Sequence, residues 1–269
     1  MGKFKGMFDF TREGPGVSKE GQKQKRRFFL FFEIYFRKLT KIMLLNIIYF
    51  FVCLPVITIG PATAALTYCM RNFVREEHAD ISDFFEQFKK NFWKSIVVWF
   101  IFTLGTGVIA FGIIFYDALA KEGHVLGFFG LTFSIIAAVI FLFMSYYVYM
   151  ILVTFKVNFR QLFKNSFIFA FVGLGRNIIT TLILGIIYGY MFINFLLPVF
   201  APIFNTDFPA SLPAASLALA LYIFFVPTLC SFIQNFNIHP CVKKFMLDPA
   251  LAKQRANEES EESIFEDAE

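Results

Sequence analysis

Four long stretches of this chain, residues 95–116, 125–155, 178–200 and 211–236, contain no aspartate, glutamate, lysine or arginine. Ionisable groups at membrane depth mark proton relays, ion coupling and charged-substrate pathways, so their absence argues against an ion-driven pump or antiporter. The chain also lacks paired aspartates, HExxH, GxSxG and the GxxxxGK[ST] phosphate loop, which removes the common intramembrane protease, serine hydrolase and ATPase signatures. His78, His124 and His239 are scattered, and the four cysteines form no CxxC pair. Neither a metal site nor a disulfide framework is expected. The reading is a protein that is not an enzyme, carries no cofactor and has no nucleic-acid partner.

What is present is apolar surface. The 269 residues are 57% hydrophobic, with 41 phenylalanines against 2 tryptophans, and the mean hydropathy is +0.62. Soluble domains are about 45–50% apolar. Each of the four uncharged runs supplies the roughly 20 residues that a hydrocarbon core requires. A fifth run, 42–55, is shorter, and residues 28–39 extend it toward Arg37, Lys38 and Lys41, which can snorkel to headgroups. Ala62-Thr63-Ala64 matches a small-x-small cleavage pattern, but about forty residues before the apolar run are too many for a signal peptide. The first span is expected to be an uncleaved anchor.

Lysine and arginine crowd into the N-terminal arm, 71–94, 156–176 and the start of the C-terminal tail, which places all four on the cytoplasmic side. Residues 117–124 and 201–210 carry one such residue and none, and suit the outside. A single crossing between the first two basic segments then fails by parity. The chain is expected to enter, break and return: one helix to Leu54, a break over 55–61, and a half-helix 62–74 only about 20 Å long. The predicted fold is all-α and polytopic, with four full transmembrane helices, an N-terminal broken helical hairpin and both termini cytoplasmic. A basic arm (1–27) and an acidic, disordered tail (251–269) flank one membrane domain (28–250).

The break holds the candidate site. Pro55, Gly60 and Pro61 interrupt an uncharged apolar segment, and exposed irregular backbone is costly in lipid, so the segment is expected to be enclosed by protein or to line a cavity. Pro61 in a first helical turn places the positive end of the helix dipole at depth. Thr58, Thr63 and Asn46 stand near it. These neutral groups could dock a sugar-like solute, as could Asn177, Thr180, Thr181, Asn194, Ser231, Gln234 and Asn235. They equally suit interhelical contacts, and the break equally suits a tight turn that lets Ala62, Ala64 and Ala65 pack closely. Gly185-x3-Gly189 is expected to serve internal helix packing.

Two stretches share a spacing. Phe84, Phe88 and Phe92, with Lys89, precede one span; Phe159, Phe163 and Phe167, with Lys164, precede another. Each forms an apolar stripe at i, i+4 and i+8, the pattern of an interfacial amphipathic helix or a partner surface. Asp80, Ser82 and Asp83 supply N-cap candidates before the first.

The run Leu54-Pro55-Val56-Ile57-Thr58-Ile59-Gly60-Pro61-Ala62-Thr63-Ala64-Ala65-Leu66, followed by Tyr68, Arg71 and the Asp83-Phe84-Phe85 to Phe92 stripe, resembles the YesL family of bacterial integral membrane proteins across about residues 25–250. That family has no established biochemical activity and no assigned site residues. The resemblance implies the bacterial cell membrane and an accessory role in carbohydrate uptake beside permease subunits of a sugar ABC transporter. A solute carrier or channel for a neutral, sugar-like molecule, with the 55–61 break as its site, is the other expectation.

Overall fold

A computed structural model describes residues 27–196, 212–249 and 252. Residues 1–26 of the basic arm, residues 201–210 and most of the acidic tail lie outside the described residues. Those described are helical, with no strand among them. Ten α-helices follow in order: α1 (Arg27–Arg37), α2 (Leu39–Val52), α3 (Ile59–Val74), α4 (Ile81–Lys90), α5 (Phe92–Lys121), α6 (Val125–Thr154), α7 (Phe159–Val172), α8 (Leu174–Met191), α9 (Leu212–Phe224) and α10 (Val226–Val242).

Three helices are long and apolar enough to cross a bilayer: Phe92–Lys121, Val125–Thr154 and Leu174–Asn194. A fourth candidate is a pair, Ser216–Phe224 and Val226–Leu247, bent by 54°. The uninterrupted run expected over 211–236 is thus broken at Phe225. Pro227 lies in the first turn of α10, and its missing N–H and ring cannot continue the ladder from α9.

The most buried element is α3. Of its sixteen residues, twelve are buried, because Gly60, Ala62, Ala64, Ala65, Thr67 and Cys69 present little bulk and allow α4, α5, α6 and α10 to approach together. Its apolar side chains join two cores. Ala64 belongs to the one built from α6, α7, α8 and α10, while Ala62, Ala65, Leu66, Cys69, Met70 and Phe73 belong to the one built with α1, α2 and α4. Two ion pairs tie the junction of α1 and α2 to the segment after α3: Arg37–Glu76 at 2.7 Å and Lys41–Asp80.

In the last turn of α3, Arg71 is buried and fixes the helix to the last turn of α6. Its Nη1 donates to the Val153 carbonyl at 3.1 Å and to Thr154 Oγ1 at 3.0 Å; Nε and Nη2 donate to Asn72 Oδ1. A cation there meets the unpaired carbonyls and negative dipole end of α6. By contrast α5 and α6 run antiparallel, joined through Gly123 at a φ of +85° that suits glycine, and leave their outer faces bare. Only 6% of either apolar window is buried, against 22% in α8.

Candidate functional site: a hydroxyl-lined groove beside the break

The chain leaves α2 at Cys53, makes a short 3-10 turn over Val56–Thr58 and enters α3. Leu54, Pro55, Val56 and Ile57 are exposed, so the expectation that the break is enclosed is corrected. Several of its backbone groups are paired locally instead. Leu54 N–H donates to Phe51 at 3.3 Å, Thr58 N–H donates to Pro55 at 2.9 Å, and the Thr58 hydroxyl lies against the carbonyls of Val52 and Pro55. A turn that closes its own hydrogen bonds can present apolar side chains to lipid without exposing orphaned groups.

Gly60 and Pro61 are buried at the start of α3. A Cβ at Gly60 would fall 2.5 Å from the Ser95 carbonyl oxygen and 2.8 Å from Trp99 Cβ, so glycine is what lets α3 lie directly on α5. Pro61 occupies the first turn, where its missing N–H leaves nothing unpaired. Ala62, Ala64 and Ala65 are fully buried. Close packing is the use the structure makes of this sequence.

Asn46 faces away from the break, toward the bend between α9 and α10. Its Nδ2 donates to the carbonyls of Tyr222 at 3.0 Å and Ile223 at 2.7 Å, and its Oδ1 accepts from the Thr228 N–H at 2.8 Å. Fully buried and with both amide hydrogens engaged, it has no donor left for a solute. Asn177 is used similarly: it accepts from the Tyr147 hydroxyl at 2.7 Å and donates to Ala170 at 3.0 Å. Thr180 and Thr181 donate to carbonyls one turn earlier.

Thr63 is the expected residue that does reach a groove. Its hydroxyl donates to Ile59 at 2.7 Å and lies 3.2 Å from the Tyr49 hydroxyl. The groove, about 410 Å³, is walled by Thr63 of α3, Trp99, Phe102, Thr103 and Thr106 of α5, and Ser145 and Tyr149 of α6. Ser145 donates to Leu142 at 2.6 Å. Thr103, Thr106 and Tyr149 make no hydrogen bond with any described residue. Sequence reasoning missed these three, although Thr103 and Thr106 at i, i+3 within an uncharged run place two hydroxyls on one helix face.

The two phenylalanine stripes separate. Phe84 is fully buried against α3, among Cys69, Met70 and Phe73, and Phe88 packs on the same core, so the expectation of an interfacial stripe is corrected for α4; Phe92 is half-buried at the start of α5, and Lys89 is exposed. In α7 the buried face is Leu162, Ser166, Phe169 and Ala170. Phe163 stacks on Phe102 at 6.1 Å, while Phe159, Phe167 and Lys164 stay exposed. Capping boxes start both helices, Asp80 with Asp83 and Asn158 with Gln161. Gly185 and Gly189 are also corrected: a Cβ at either would meet no described atom within 4 Å, so they do not pack the described helices together.

Among the described residues no cluster of histidine, cysteine and carboxylate side chains could hold a metal ion. No curated protein and no solved structure matches this chain. Residues 42–113, from α2 into α5, match the model of a family described as Protein of unknown function, DUF624.

Proposed function

We propose that this chain is a non-enzymatic integral membrane accessory protein whose α5–α6 pair docks in the bilayer against permease subunits of a carbohydrate (oligosaccharide) ABC importer. The observation that carries docking is the groove with three unpartnered hydroxyls, Thr103, Thr106 and Tyr149, on an otherwise bare apolar pair. Exposed apolar side chains alone need only lipid. Hydroxyls in hydrocarbon lack partners, and a polar side chain of a neighbouring helix supplies them at about 0.6 kcal/mol each on average. The carbohydrate context rests on the resemblance of 54–66 and 83–92 to the YesL family. In this reading the protein sits in the bacterial cytoplasmic membrane with four spans, a re-entrant α2–α3 hairpin and both termini cytoplasmic.

The test is affinity purification of the full chain from native membranes in mild detergent. Sugar permease subunits are expected with the wild type and lost with Thr103→Val/Thr106→Val, an isosteric change that leaves the apolar face intact. Recovery of no permease under conditions that preserve known transporter complexes would sink the proposal.

A second reading takes the same groove as a site for a neutral, sugar-like solute, with Trp99 as a flat apolar wall beside hydroxyls. Its mark is sugar flux in proteoliposomes holding this protein alone, abolished by Thr63→Val. Such flux would displace the accessory reading.

A further inference from the structure

Pro240 lies inside α10, so the carbonyl of Phe236, four residues earlier, has no helical donor. Arg27 of α1 fills that position: Nη2 donates to the Phe236 carbonyl at 3.0 Å, and the guanidinium carbon stands 5.3 Å from the centre of the Phe236 ring. Arg176 of α8 donates to the next carbonyl, Asn237, at 3.4 Å. Two guanidinium groups therefore converge on consecutive residues of one helix. Burial, and then the charge of Arg176, push the Arg27 group below its ordinary value. Neither arginine pairs with a carboxylate among the described residues, and a carbonyl engages only one of the five donors each carries.

Arg27 and Asn237 are the polar lining of a groove of about 550 Å³ between α1, α8 and α10, whose other walls include Phe28, Phe32, Ile183, Leu229 and Ile233. That volume is within the usual range of small-molecule sites. A groove of this make-up asks for a ligand that is apolar along most of its length and anionic at one point.

We propose that the groove holds a phospholipid with an anionic headgroup, an acyl chain lying between α1, α8 and α10 and its phosphate against Arg27 and Arg176. Charge complementarity selects this occupant. A partner's apolar helix would cover the walls and leave the charges of Arg27 and Arg176, held on neighbouring carbonyls, without an anion, and a zwitterionic headgroup brings a cation next to its phosphate. The bilayer implied by α5, α6 and α8 supplies the ligand, and Lys25 and Arg26 precede Arg27 in the sequence, adding attraction for anionic lipid near the membrane surface.

The experiment is native mass spectrometry of the full-length protein in mild detergent, titrated with phosphatidylglycerol or with phosphatidylcholine. Phosphatidylglycerol is expected to be retained about tenfold more tightly or better, as two cations near one phosphate imply. Arg27→Gln/Arg176→Gln should bring it to the phosphatidylcholine level, since glutamine can still donate to the two carbonyls but carries no charge. Ile183→Trp fills the groove with both arginines intact and should weaken both lipids. Equal retention of the two lipids by the wild type, a preference that survives in the double variant, or retention unchanged by Ile183→Trp overturns the proposal. So does a photo-crosslink from Ile233 to residues 1–26 or to another protein in lipid-replete membranes.

Discussion

The side-chain amide of Asn46 stands where Pro227 has no hydrogen to give, donating to the Ile223 carbonyl at 2.7 Å. The same side chain accepts from Thr228, so one residue of α2 closes both sides of the 54° bend. Prolines in membrane helices are tolerated when neighbouring helices supply the lost partners, and this pair is such a case.

Asn46→Leu should therefore destabilise the protein by about 2–4 kcal/mol, because two carbonyls and one N–H become buried without partners. Pro227→Ala returns a backbone donor to Ile223, and the two changes should be non-additive by about 0.5–3 kcal/mol in a double-mutant cycle. Unfolding in detergent measures both. Strict additivity would separate the asparagine from the proline.

Glycines in similar sequence settings should respond oppositely. Gly60→Ala forces the α3 start away from the Ser95 carbonyl and should cost about 1–3 kcal/mol. Gly185→Ala and Gly189→Ala, which meet open space, should stay within about 0.5 kcal/mol of the wild type. The same unfolding assay ranks the three.

Arg71→Lys should behave as a disruptive change. A lysine cannot bridge Val153, Thr154 and Asn72 from one planar group, and it also gives up the stacking over Tyr68, where the guanidinium carbon stands 4.6 Å from the ring centroid. A loss of about 1.5–3 kcal/mol is expected, with faster hydrogen exchange at the end of α6 as the local signature.

Acid should loosen the tie between α2 and α4. The hydrogen bond and charge of Lys41 hold the Asp80 carboxyl below its ordinary 3.8, so the pair contributes above the unfolded value and is lost as pH falls through the lower folded one. Asp80→Asn keeps an N-cap side chain and deletes the charge. The gap in unfolding midpoint between wild type and variant should shrink on going from about pH 5 toward about pH 2, the window set by the lowered carboxyl. A gap that widens would contradict the pairing.

The long apolar helices were legible because hydropathy over about 20 residues is a direct count of what lipid accepts. The centrality of α3 was not. Its glycine, alanine, threonine and cysteine give a modest hydropathy, and Arg71, which counts toward the basic cytoplasmic segment 71–94, is buried. Small residues invite close neighbours, but a local pattern cannot say which helices come. The stripes led by Phe84 and by Phe159 have one spacing and two fates, because periodicity defines a face and not what covers it. Asn46 was legible as a polar residue at depth; its partners lie 176 and more residues away and leave no local trace.

That separation bears on the order in which the molecule can be made. Donors for the carbonyls that Pro227 and Pro240 leave open belong to α2 and α1, which emerge from the ribosome long before α9 and α10. Asn46 and Arg27 can therefore meet these partners only after α9 and α10 have been made. Closure of the fold thus waits for α10.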